Sequence, residues 1–110
     1  MTITDMRVIE FDEKALIAVI AGSSRRAEGI GLPALRPSRI GFNPDDHRIR
    51  VEYQTRPVIS VPAERFGALL VAYCVRARIP IPRGANKELR IEANSVSLVF
   101  NTVFLDPGTW

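Results

Sequence analysis

Residues 6–28, MRVIEFDEKALIAVIAGSSRRAE, lie over residues 56–78, RPVISVPAERFGALLVAYCVRAR, at an offset of 50. Val8 then falls on Val58, Ile9 on Ile59, Ala18 on Ala68, Arg26 on Arg76 and Ala27 on Ala77. Shrinking the offset through the loops brings Ile30 onto Ile79 and Pro33 onto Pro82. At an offset of 47, residues 49–55 lie over residues 96–102. Matches of class (Leu16/Phe66, Val19/Leu69, Ile20/Leu70, Tyr53/Phe100) run between the identities. Self-similarity at a fixed period bears on architecture before any single residue does. The chain is therefore expected to be one domain over residues 1–110, built from half-repeats 6–55 and 56–105 with a tail at 106–110.

Each half reads as strand, helix, strand, strand. Met6 to Phe11 and Pro57 to Val61 have strand composition, and each runs directly into a helical pattern. Phe66, Leu69, Leu70, Tyr73 and Ala77 recur at helical spacing, as do Leu16, Val19, Ile20 and Ser23. Asp12, Glu13 and Glu64 place negative charge at the helix starts, and Pro62 suits a first helical position. The glycines and prolines of 29–37 and 80–84 stop the helices. Two strands follow in each half: Arg39 to Phe42 with Arg48 to Gln54, and Glu88 to Ala93 with Val96 to Leu105. Ile49, Val51 and Tyr53 alternate with Arg48, Arg50, Glu52 and Gln54, the pattern of a strand buried on one face.

This order predicts an α+β fold, with one mixed or antiparallel sheet carrying two helices on one face. It is similar in topology to ferredoxin-like sheets and to the duplicated plan of the tautomerase superfamily. The second resemblance implies an oligomer. It does not bring an activity with it, since tautomerases use an N-terminal proline as base and Thr2 follows Met1 here.

A chain of 110 residues is long enough for a core, whereas either half alone would be marginal. Composition is that of a globular protein, 46% hydrophobic and 25% charged. No apolar run is long enough for a membrane span, and the start lacks a signal-peptide pattern. The single cysteine, Cys74, cannot form an internal disulfide. These features point to a cytoplasmic protein without a membrane partner.

Charge is missing where a solvated helix would carry it. Residues 15–24 and 66–75 contain no ionisable acid or base of the Asp, Glu, Lys or Arg type. The backs of the helices instead hold Ile17, Ala18 and Ala21, or Ala68, Val71 and Val75. In the last strand Val99 and Val103 face away from Val96, Leu98 and Phe100, so that strand is apolar on both sides. Packing between helices hides part of such surface, and a second copy of the chain would cover the rest. These eight residues are the expected oligomer contacts.

Catalytic material is sparse. His47, the only histidine, sits beside Asp45 and Asp46 in a turn pattern, and no metal site is expected. Cys74 lies mid-helix among apolar residues with no histidine to activate it. Gly29-Ile30-Gly31-Leu32-Pro33-Ala34 follows a helix instead of linking a strand to one, so it is not a dinucleotide fingerprint, and no cofactor is expected. Arginine outnumbers lysine 13 to 2 and gathers at the helix exits. Arg25 and Arg26 follow the first helix; Arg76, Arg78, Arg83 and Lys87 follow the second. Cations there favour the helix dipole and also suit an anionic protein or nucleic acid. The sequence thus predicts a non-catalytic, oligomeric binding or adaptor module. Polyanion binding through the arginine loops is the second reading, and an enzyme lacking identifiable catalytic residues is the third.

Overall fold

A computed structural model describes residues 2–104; the expected tail at 106–110, with Trp110, lies outside them. The order is β1 (Ile3–Asp12), α1 (Glu13–Ala21), α2 (Ser24–Gly29), β2 (Arg39–Asn43), β3 (Arg48–Tyr53) and β4 (Arg56–Pro62). A 3₁₀ turn (Ala63–Arg65), α3 (Phe66–Arg76), β5 (Asn86–Ile91) and β6 (Ser95–Phe104) follow. The fold is α+β.

The strands form two antiparallel three-stranded sheets, β1-β6-β5 and β2-β3-β4, where one sheet was expected. The described residues do not form the single sheet of a ferredoxin-like or tautomerase-like plan. The cause lies in one turn. Gln54 and Thr55 fold β4 straight back onto β3, with Tyr53 opposite Arg56, so β4 joins the sheet of the strands before it. The long β6 pairs over its full length with β1, from Ile3↔Phe104 to Asp12↔Ser95. Each sheet therefore combines a hairpin from one half of the chain with the leading strand of the other.

Asp12 caps α1, its Oδ1 accepting from the Ala15 amide at 2.8 Å. Glu13 reaches further, and its Oε2 accepts from the Ile40 amide at 2.8 Å, tying the start of α1 to β2. The expected first helix is broken into two at Gly22 and Ser23. A Cβ at Gly22 would lie 3.2 Å from the Ala18 carbonyl oxygen and 3.8 Å from Arg76 Nη2. The first contact is tight and belongs to α1's own last turn; the second is an ordinary van der Waals contact.

Both helix runs end in the same way. The Leu32 amide donates to Ala27 and the Gly31 amide to Glu28, around a left-handed Gly31. At the end of α3 the Ile79 amide donates to Cys74 and the Arg78 amide to Val75, around a left-handed Arg78 (φ 59°). These bonds are those of the Schellman motif, which satisfies carbonyls left over at a helix end. Leu32, Ala27 and Cys74 are buried, which gives each stop an apolar anchor.

One core joins all layers. Leu16, Val19 and Ile20 of α1 and Phe66, Leu69, Leu70 and Cys74 of α3 meet Ile49, Val51 and Val61 of one sheet and Val96, Leu98 and Phe100 of the other. Phe11 adds an edge-to-face contact with Tyr73, ring centroids 6.0 Å apart. Only the C-terminal end of β1 takes part. From Ile3 to Val8 every residue is exposed, so the β1–β6 ribbon extends past the core. The molecule measures 61 × 30 × 20 Å. No helix among the described residues is long and apolar enough to cross a membrane.

Candidate anion-binding site

The break between α1 and α2 opens a basic concavity. Ser23 would ordinarily cap α2, yet its side chain makes no capping bond. Its Oγ instead accepts from Arg76 Nη2 at 3.1 Å, linking the end of α1 to the end of α3 across 53 residues. Arg76 also stands over the Tyr73 ring, 5.8 Å from its centroid, within the range of a cation–π contact. Two contacts thus hold this guanidinium in place.

Around it opens a cleft of about 320 Å³ lined by Gly22, Ser23, Ser24, Arg25, Arg26 and Arg76. Three guanidiniums and two hydroxyls line it, with no carboxylate among the lining residues. Arginine's planar fork matches phosphate or carboxylate oxygens with two parallel bonds, the geometry an oxyanion site requires. Sequence reasoning placed Arg25 and Arg26 in one loop and Arg76 in another; the structure brings them together. Ser23 and Ser24 were not read as site residues. Their signal was the Gly22-Ser23-Ser24 run, a helix breaker inside an otherwise helical pattern.

The other basic candidates stand apart. Arg78 is the left-handed residue that closes α3, and Arg83 lies exposed in the loop before β5. Lys87, on β5, borders a smaller concavity of about 230 Å³ with Glu64, Gly67, Ala68, Leu89 and Leu98. None of the three lines the arginine cleft. On the outer face of β2-β3-β4, Arg48 and Arg50 are already engaged. Arg48 donates to Ser60 Oγ at 2.7 Å, and Arg50 pairs with Asp46. The Arg50 hydrogen bond holds the Asp46 carboxyl below the usual carboxylate range.

No family model, curated protein or solved structure matches this chain.

The expected contact residues are spread over several surfaces. Val75 is 68% exposed and Val103 59% exposed, and Ala18 and Ala68 are also open to solvent. Ile17, Ala21 and Val71 are half-buried. Val99 is fully buried in its own sheet, flanked by Val8 of β1 and Glu88 of β5, and so has no surface to offer a partner. Ile17 borders the wall of a wider concavity, about 590 Å³, with Leu35, Arg36, Tyr53 and Thr55. The Tyr53 hydroxyl is buried away from solvent there and finds no partner among the described residues.

His47 occupies the β2–β3 turn with φ 58° and lies 3.7 Å from Glu64. Cys74 is buried, and its burial pushes the thiol upward from its ordinary value, away from the reactive thiolate. Among the described residues no group of three His, Cys, Asp or Glu side chains could hold a metal.

Proposed function

We propose that the protein is a non-catalytic binding module that holds a phosphate-bearing partner in the cleft of Arg25, Arg26 and Arg76. The observation that carries this reading is the convergence of three guanidiniums, from helix ends far apart in sequence, on one concavity without a lining carboxylate. Half-repeats 6–55 and 56–105 give it a framework, with Arg26 and Arg76 at equivalent places that face one cleft instead of two. Arg76 is pre-oriented by Ser23 and Tyr73, so it loses little freedom on binding, while the exposed Arg25 and Arg26 close over the ligand.

Pyrophosphate titrated into the protein at low salt tests this by calorimetry. Arg26→Ala and Arg76→Ala should each weaken binding roughly tenfold, the loss of one charge-assisted contact. Arg83→Ala and Lys87→Ala should leave it unchanged. Equal losses at all four positions would reduce the effect to net charge, and no binding to the wild type at low salt would end the proposal. The expected assembly into an oligomeric adaptor rests on a separate observation, the exposed Met6, Val8, Val75 and Val103.

A further inference from the structure

We infer that β1 is the contact through which two copies of this chain pair, its free edge lying antiparallel to the same edge of the second copy about Met6. β6 occupies one side of β1 throughout its length, and among the described residues no strand occupies the other. A ten-residue edge of this kind is a template for another strand. What selects the occupant is the sequence of the edge itself.

Two identical antiparallel strands related by a two-fold axis must centre on one residue facing itself, because facing side chains share a face and alternate along the strand. Centring on Asp5 sets two carboxylates against each other. Centring on Arg7 opposes two guanidiniums and leaves Asp5 against Ile9. Centring on Val8 places Met6 against Glu10 and Arg7 against Ile9. Centring on Met6 alone satisfies both charges: Asp5 faces Arg7 of the second copy, and Arg7 faces its Asp5. Ile3 then meets Ile9, Thr4 meets Val8, and Met6 meets Met6.

The exposure pattern fits this register. Ile3, Met6 and Val8 are 45%, 55% and 50% exposed, and all three acquire facing neighbours. On the face away from the core, Met6 and Val8 of both copies are brought together at the seam, with Asn101 opposite Met6 and Val99 opposite Val8 on β6. Arg7 already donates from Nη1 to the Pro80 carbonyl at 3.1 Å. Its guanidinium has further donors for Asp5 of the second copy. The charges that blunt this edge against other strands become complementary when it meets itself.

Sedimentation equilibrium of the full chain should give a species of twice 12.2 kDa. Asp5→Arg or Arg7→Asp alone replaces two attractions with two repulsions and should weaken the dimer roughly ten- to a thousandfold. Both changes together restore opposite charges and should restore the dimer. Both positions are exposed, so the monomer fold tolerates them. Met6→Cys provides a second readout: directly opposed residues sit about 4.5–5.5 Å apart at Cα, within disulfide range, and oxidation should link the chains. A monomer at all concentrations, an oligomer indifferent to the single reversals, or a double reversal that folds but stays monomeric would each overturn the inference.

Discussion

The Ser23 hydroxyl accepts a hydrogen bond from the Arg76 guanidinium at 3.1 Å, and this bond fastens together two helix ends that the chain separates by 53 residues. Ser23 does so in place of capping α2. The local stability of a short helix is given up for a long-range tie, and that tie fixes one wall of the arginine cleft. Gly22, Ser23 and Arg76 all line that cleft, so the backbone break, the hydrogen bond and the basic cleft coincide.

Arg76→Ala should therefore affect stability as well as binding. It removes the Ser23 bond and the contact with Tyr73, together worth about 1–2 kcal/mol. Ser23→Ala should cost less, about 0.5–1 kcal/mol, since Arg76 remains solvated. Urea denaturation of both single variants and the double variant measures the coupling, expected at about 0.5–1 kcal/mol. Strict additivity would mean that the bond contributes nothing.

Arg78→Gly should stabilise the protein. Arg78 holds φ 59° because it closes the Schellman motif of α3, the place occupied by Gly31 after α2. A side chain in left-handed backbone costs roughly 1 kcal/mol, and glycine relieves it at some expense in unfolded-state entropy. A gain of about 0.5–1 kcal/mol is expected, seen as a higher urea midpoint with an unchanged slope. Because Arg78 lies outside the arginine cleft, pyrophosphate affinity should not change.

Much of the element order could be read in the sequence because the signals were local. The alternation of Ile49, Val51 and Tyr53 marked β3, and Asp12 and Glu13 marked the start of α1. The division into two sheets was not legible. It depends on Gln54 and Thr55 forming a two-residue turn, and neither is the glycine, asparagine or aspartate that announces one. The helix break lies at Gly22 and Ser23, inside the helical spacing that ran from Leu16 to Ser23. The cleft needed three dimensions, since Arg25 and Arg26 meet Arg76 only after α1 and α3 converge. The burial of Val99 likewise depends on which strands flank β6.

Alkaline pH should destabilise the fold through Cys74. Burial raises its thiol above the ordinary value of 9.0, so the folded chain holds the proton more tightly than the unfolded chain. Between the unfolded and folded values the unfolded state binds fewer protons, and stability falls as pH rises. Below that window both states keep the proton and the contribution is constant. Cys74→Ala should flatten the decline measured by urea melts above pH 9. In the native wild type, a thiol reagent at pH 8 should react only at the rate of opening. Immediate stoichiometric reaction would contradict the buried thiol.

Tyr53→Phe asks whether the buried hydroxyl is a cost. Its oxygen is closed off from solvent and lacks a partner among the described residues, and burial raises its ionisation above the ordinary 10.0. An unpaired buried hydroxyl is unfavourable by about 1–3 kcal/mol, while the ring itself belongs to the core. Phenylalanine keeps the ring and removes the polar atom, so stability should rise by about 0.5–1.5 kcal/mol. Removing the hydroxyl also removes a group whose folded value is raised, so the variant should lose less stability above pH 10. If it instead loses a kilocalorie or more at neutral pH, the hydroxyl is satisfied by a bridging water, and the concavity beside Ile17 and Arg36 is wetter at its base than its lining implies.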